Sequence, residues 1–434
     1  MATSPASAAR TPQRTVLLVA YHFPPVQGSS GVQRTLRFAQ HLPKYGWRPI
    51  VLSIDPRAYE STAQVVGNEA PAGLAVHRAF GFNTATQLSI LGRYPAALAL
   101  PDRWATWRYW AVPKGMRIIR EQRVDALWST FPIATAHLIG LELARKSRLP
   151  WLADFRDPMW QSDWPPEPRA NRAWQALERR IFSAAERAVF VAPGAIEMYA
   201  ERFPQLERRK FALVENGYDE ETFRRAAGAE PEARSAPEDR PVTLLHSGII
   251  YSSERDPTQF FAAIAELKAQ GALSAKLLQI VLRASGTETN FRAELERLQI
   301  ADIVQLQPSI DYVSALREML AVDGLLILQA ANCNAQVPAK LYEYLRADRP
   351  ILALTDPKGD TARTLDAAGA GMVARLDCVA EIRTALLRFI GQIRKGDWRR
   401  PSRETVAGYS REAQAAKLAM LLDEVAGRSS SLRR

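Results

Sequence analysis

The feature that most constrains the fold is the succession of short apolar runs and amphipathic segments along nearly the whole chain. "TVLLVAY" (Thr15 to Tyr21) is a β-rich apolar run, and a turn crowded with Pro24, Pro25, Gly28 and Gly31 follows it. In "GVQRTLRFAQHLPKYG" the apolar residues then recur at helical spacing, and "RPIVLSI" is a second short apolar run. Strand, helix and strand at this spacing make a βαβ unit, and repeated βαβ units imply a parallel sheet.

The alternation persists. "KGMRIIREQRV", "IATAHLIGLELARKSR", "NRAWQALERRIFSAAE" and "AIEMYAERFP" read as helices between the strands "DALWST", "PWLADF", "RAVFVAP" and "KFALVEN". At 434 residues the chain exceeds what one core usually serves, so two domains are expected. The polar, alanine-rich and proline-marked stretch 223–240 has the composition of a linker. Beyond it "PVTLLHSG" restarts the alternation, and "TARTLDAAGAGMVAR" with "CVAEIRTALLRFIGQIRKG" reads as one more strand and helix pair. The expected class is α/β, with two Rossmann-like doubly wound domains, 14–222 and 241–405, facing a central cleft. Residues 1–13 read as a disordered leader, and 406–434 as a helix and tail able to cross back to the first domain. No solenoid period is found.

Composition narrows the function. A formal net charge of +11 suits nucleic acid, an anionic membrane surface or a phosphorylated substrate. No zinc spacing, helix-turn-helix pattern or aromatic RNA-binding signature favours nucleic acid, so none is expected as a partner. Cys333 and Cys378 lie far apart and give no disulfide or metal framework, which fits a cytoplasmic protein. The longest near-apolar stretch, "LSILGRYPAALALPDRWATWRYWAVP", is broken by Arg93, Pro95, Pro101, Asp102 and Arg103 and falls short of the roughly 18 apolar residues of a span. Its arginines and aromatics fit either a lipid interface or a packed segment, and Trp104, Trp107 and Trp110 lean towards packing.

Ligands of open parallel sheets bind outside the carboxyl ends of the strands, so the candidate residues are those just after strands. The Gly28 to Gly31 loop leads into a helix start, where amides and the helix dipole favour phosphate; a plain tight turn is the alternative. "LADFRDPMW" places Asp154, Arg156 and Asp157 at a strand end, either as an active-site cluster or as a structural ion pair. Gly248 and Arg255 follow the strand of "PVTLLHSG", and a guanidinium there can hold two phosphate oxygens or make a salt bridge with Glu254 or Asp256. Lys340 and Glu343 share a helix in "QVPAKLYEYLRADRP". They suit phosphate and a ribose diol, or equally an exposed pair three residues apart. His22 lies beside the glycine loop, whereas His137, within "IATAHLIGLELA", reads as a core histidine.

Taken together, "YHFPPVQGSSGVQRTLRFAQHLPKYGW", "PWLADFRDPMW", "ENGYDEETF", "GIIYSSERDP" and "VPAKLYEYLRADRPILAL" resemble the retaining glycosyltransferases of the GT-B fold, and within them family 4. The phrases occur in the family's order and span nearly the whole chain. The resemblance implies an N-terminal acceptor domain, a C-terminal domain for a UDP- or GDP-sugar, and transfer with retention to a glycan, lipid-linked or other hydroxyl in cell-surface polysaccharide biosynthesis. It casts Glu343 as the ribose ligand, Gly248, Arg255 and Lys340 as donor contacts, and Gly28 and Gly31 as a loop closing on the diphosphate. It makes Asp154, Arg156 and Asp157 the candidates for handling the acceptor hydroxyl, with His22 and Asn216 lining the acceptor side. The nucleotide sugar is a co-substrate; no cofactor and no metal are expected, and peripheral contact with a membrane is left open.

Two departures stand out. Ala335 occupies the place eight positions before Glu343 where the family has its first glutamate, and Asn332, Asn334 or Gln336 would have to substitute. Where many members carry a histidine after the "ADFRD" strand, the nearest residue here is Arg156. A natural-product glycosyltransferase, a nucleotide-sugar epimerase and a binding subunit of impaired activity are the alternative readings.

Overall fold

The computed structural model describes residues 14–431 other than 27–29, 61–69, 90, 92, 95, 163, 229–239 and 287. The leader 1–13, Gly28 and most of the expected linker therefore lie outside the described residues. The chain divides into two compact units, one of Met1–Val191, Tyr199–Val214 and Arg411–Arg434, the other of Ala192–Met198 and Glu215–Ser410.

The first unit is built on a parallel sheet of β1 (Arg14–Val19), β2 (Trp47–Ile54), β3 (Ala75–Ala79), β4 (Ala126–Thr130), β5 (Trp151–Phe155), β6 (Arg187–Phe190) and β7 (Phe211–Leu213). Their order is β3-β2-β1-β4-β5-β6-β7. Helices cover the sheet, so its central strands read as continuous apolar runs. Val16, Leu18, Trp47, Val51, Trp128 and Leu152 form one core with Leu36 and Phe38 of the Ser30–His41 helix. Leu418, Leu422 and Val425 of the Arg411–Ser431 helix complete that core, and Trp47 Nε1 donates to Asp423 at 3.1 Å.

The second unit has β8 (Val242–Ser247), β9 (Leu278–Arg283), β10 (Val304–Gln307), β11 (Gly324–Leu328), β12 (Ile351–Leu354) and β13 (Met372–Ala374), ordered β10-β9-β8-β11-β12-β13. Pairing is parallel throughout both sheets. In each sheet the chain winds out one way and then the other. The order reverses between β1 and β4 and again between β8 and β11, and such switch points open the crevice in which ligands of doubly wound sheets bind.

Four elements differ from the sequence expectation. β3 was not anticipated: its sequence AVHRA is mostly half-exposed, as an edge strand permits. The Arg108–Gln122 helix starts six residues before Lys114 and carries Pro113 in its interior. Ala111 and Val112 are buried there while Pro113 is exposed, so burial of one face outweighs the missing proline donor. Residues 223–227, expected as linker, finish the Glu220–Ala227 helix, which Asp219 caps and Phe223 anchors. The "TARTLDAAGAGMVAR" stretch also supplies a helix, Asp360–Ala367, before β13. Among the described residues no helix is long and apolar enough to cross a membrane.

Candidate functional site

Each switch point carries a cluster of ionisable side chains. In the first unit Asp154, the fourth residue of β5, is fully buried. Its carboxylate is gripped by Arg34, whose Nη2 is 2.6 Å from Oδ1 and whose Nε is 2.9 Å from Oδ2. Arg34 also donates to the Val214 carbonyl at 2.8 Å, and Thr130 Oγ1 at the end of β4 donates to Asp154 at 2.8 Å. A buried carboxylate needs such partners, and here they tie β4, β5 and the Ser30–His41 helix together. The ion pair left open by the sequence thus exists, with Arg34 and not Arg156 as the cation.

Arg156 and Asp157 follow on the exit from β5, half-buried. Burial holds the Asp157 carboxyl above the usual carboxylate range, with Asp154 adding to the effect and Arg156 opposing it. Burial likewise lowers the Arg156 guanidinium. His22, three residues beyond β1, is held down to about 3 by burial and then by the charge of Arg156, so its imidazole is neutral at ordinary pH. The loop that carries Arg156 and Asp157 is pinned from behind. Tyr199 Oη accepts from the Met159 amide at 2.8 Å and donates to Glu178 at 2.8 Å, while Trp160 Nε1 donates to Glu178 at 2.8 Å. Gly31 is the second residue of the Ser30–His41 helix, and Asn216 lies half-buried between β7 and the Glu220–Ala227 helix. His137 is a core residue: Ser129 Oγ is 2.7 Å from its Nδ1 and Phe155 packs against its ring.

In the second unit the four expected donor residues follow β8 and β11: Gly248 in the loop after β8, Arg255 at the end of the short Ser252–Arg255 helix, and Lys340 and Glu343 on the helix that follows β11. Gly248 has φ +115°, and a Cβ added there would lie 3.2 Å from Lys340 Nζ. The positive φ calls for glycine, and any side chain there would also press on the lysine passing over it. Lys340 opens the Lys340–Ala347 helix. Its Nζ lies 3.0 Å from Nε2 of His246, a fully buried residue of β8. Burial and the charge of Arg255 push the Lys340 ammonium well below the usual lysine value, with Glu343 opposing. Arg255 reaches back across its loop to the Ile249 carbonyl at 2.7 Å, and its contact with Glu254 is a long 3.8 Å. Glu343 accepts from Tyr312 Oη at 2.6 Å. Tyr344 Oη accepts from the Ser247 amide at 3.0 Å, fastening the end of β8 to the same helix.

Sequence reasoning missed Arg34, His246 and Tyr312. Arg34 sits among the apolar residues of an amphipathic helix, and the one available signal was the carboxylate at a strand end that required a cation. Two of the three amides considered for the first-glutamate place hold their loop: Asn332 Nδ2 donates to the Ser253 carbonyl at 2.9 Å and Asn334 Nδ2 to Asp356 at 2.6 Å. The tryptophans divide. Trp104 and Trp107 are buried, whereas Trp110 is 44% exposed and stacks edge-on to Phe80 at 4.9 Å. Among the described residues no group of three or more His, Cys, Asp or Glu is placed to hold a metal ion.

No family model matches the sequence, and no curated protein matches it. Solved structures do share its fold. A glycosyltransferase from Rickettsia africae is 13% identical, with 95% of this chain and 98% of that one covered and a TM-score of 0.63. Sucrose-phosphate synthase from Thermosynechococcus elongatus is also 13% identical, covering 95% and 99%, with a TM-score of 0.64. Anabaena HepE, solved in complex with UDP, is 12% identical, covering 96% and 99%, with a TM-score of 0.57. The chain has the two-domain Rossmann-like α/β fold of the GT-B glycosyltransferases.

Proposed function

We propose that the chain is a retaining glycosyltransferase of the family 4 type. It moves a sugar from a UDP- or GDP-sugar to a hydroxyl of a glycan, lipid-linked or other acceptor in cell-surface polysaccharide biosynthesis. The observation that carries this reading is the convergence of Lys340 and Arg255 about Gly248 at the β8 to β11 switch point, with Glu343 one helical turn beyond Lys340. Two cations beside bare backbone at a helix start suit a diphosphate, and a carboxylate at that distance suits a ribose diol. The shared fold with a protein solved with UDP supports the nucleotide.

In this reading the anomeric C–O bond to the diphosphate breaks while a bond from the acceptor oxygen forms on the same face. Lys340, Arg255 and the helix-start amides offset the charge growing on the diphosphate, which is electrostatic stabilisation by fixed groups. Asp157, on the exit from β5 with its carboxyl raised by burial, accepts or orients the acceptor's hydroxyl proton. Arg156 and His22 line the same strand ends, and Asp154, gripped by Arg34, holds their scaffold. Tyr109, 56% exposed, and Trp110 stand on one helix with exposed Lys114 and Arg117, a mixture that suits peripheral contact with a membrane and so favours a lipid-linked acceptor among the three.

The test is calorimetric titration with UDP and GDP, followed by hydrolysis of a panel of UDP- and GDP-sugars. Micromolar binding of one diphosphate, and donor turnover lost in Glu343→Ala, is the expected result. Silence across the panel with Glu343→Ala indistinguishable from the parent would sink the reading, and tight binding without turnover would leave a binding subunit.

A further inference from the structure

We propose that His246 is a positioning residue that aims the Lys340 ammonium at the phosphate oxygens of a bound nucleoside diphosphate. The proposal rests on the donor-site reading above and adds to it a residue that touches no substrate. His246 stands on β8, and its Nδ1 lies 3.0 Å from the carbonyl oxygen of Leu326 on the adjacent β11. A carbonyl only accepts, so Nδ1 carries the hydrogen. In the neutral ring Nε2 is then an acceptor, and the group placed 3.0 Å from it is Lys340 Nζ. One of the three ammonium hydrogens is thereby fixed by a ring that cannot turn without losing its own bond to β11.

The lysine is confined on its other side as well. It passes over Gly248, where a Cβ would stand 3.2 Å from Nζ and 3.7 Å from Cε. A free lysine loses much of its rotamer freedom when it is ordered. A lysine ordered before the ligand arrives does not lose it again on binding. A carboxylate could hold the ammonium equally firmly, but it would cancel the charge on which diphosphate attraction depends. Imidazole holds it without bringing an opposite charge to it. The ring stays neutral in this setting: burial lowers it well below the ordinary histidine value, the Lys340 charge adds to this, and the backbone of Leu326 and Gly248 opposes. The other charged groups that act on Lys340 are Arg255 and Glu343.

Three variants of the full chain separate this role from a merely structural one. His246→Asn keeps a donor for the Leu326 carbonyl but does not reach Nζ. His246→Gln puts an acceptor near the Nε2 place, and His246→Leu does neither. UDP affinity is read by calorimetry and uridine binding by ligand-observed NMR, with circular dichroism confirming the fold. The expected outcome is a loss of UDP affinity of roughly tenfold in His246→Asn and His246→Leu, near-parental affinity in His246→Gln, and uridine binding unchanged in all three. Equal loss for UDP and uridine, or unchanged UDP affinity in a folded His246→Asn, overturns the proposal. If the parent chain binds neither UDP nor GDP, the donor reading itself fails and this inference goes with it. If Lys340→Met loses UDP affinity while every His246 variant keeps it, only the role of His246 is refuted.

Discussion

The two sheets solve the same electrostatic problem in opposite ways. Each places a charged side chain in low-dielectric surroundings by its switch point, Asp154 in the first and Lys340 in the second. Asp154 is answered by a charge, the Arg34 guanidinium, in a two-pronged pair whose side chains are 0% and 2% exposed. Lys340 is answered by a neutral imidazole, and Glu343 on the same helix by the neutral hydroxyl of Tyr312. A charge matched by a charge is a finished structural joint. A charge steadied by a neutral partner keeps its field, which is what a site for an ionic ligand requires.

The largest effect expected from this contrast is on stability. Arg34→Met strands a buried carboxylate and should destabilise the first unit by roughly 3 to 5 kcal/mol in urea unfolding. Adding Asp154→Leu should recover much of that loss, since the pair then leaves together. An additive double variant would mean the two side chains do not act as a unit. Lys340→Met is the mirror experiment. It removes a part-buried cation whose hydrogen bond goes to a neutral group, so stability should hold or rise slightly while UDP affinity falls at least about tenfold. A Lys340→Met chain as unstable as Arg34→Met would erase the distinction between the two clusters.

A smaller effect concerns acid. His137 is completely buried in the first unit, and burial holds its ring at about 3. Its unfolded value is near 6.5. Between those limits the unfolded chain binds a proton that the folded chain refuses, so stability is complete above about pH 6.5 and falls as pH drops towards 3. The slope is roughly 1.4 kcal/mol per pH unit for this residue at the steepest part of the window. His137→Phe, compared with the parent by urea midpoints from pH 7 to 4.5, should flatten the curve by that amount. Parallel curves would show that the ring is protonated in the folded state.

The fold was legible because both sheets are parallel and buried on both faces, so runs such as "TVLLVAY" and "GLLILQ" stand out against amphipathic helices. Edge strand β3 was not, because AVHRA has neither continuous apolar character nor clean alternation. In the second unit Gly248, Arg255, Lys340 and Glu343 could be found because loops after strands collect such residues. Their neutral partners could not. His246 is separated from Lys340 by 94 positions and Tyr312 from Glu343 by 31, and no local pattern encodes a contact across that distance. Asp154 was legible as a charge at a strand end but not as half of a joint, since Arg34 lies 120 positions away on a helix whose amphipathic pattern hides it.

The finest test of the contrast is at Glu343, the acid of the second cluster. Tyr312 donates to Oε1 at 2.6 Å and so fixes the carboxylate's orientation. If the carboxylate serves the ribose diol, Glu343→Gln should sharply reduce the preference for UDP over 2′,3′-dideoxy-UDP, because the amide puts an NH2 donor where one of the two hydroxyls needs an acceptor. Tyr312→Phe leaves the charge in place and removes only its support. A hydrogen bond to a charged group is worth about 1.5 to 3 kcal/mol, but Tyr312 acts on the diol only through the carboxylate's orientation, so the preference should shrink and survive. Competition titrations with the two nucleotides read both variants on one scale. Should Tyr312→Phe match Glu343→Gln, the hydroxyl itself would be the ribose contact, and the carboxylate, like Asp154, would serve the fold.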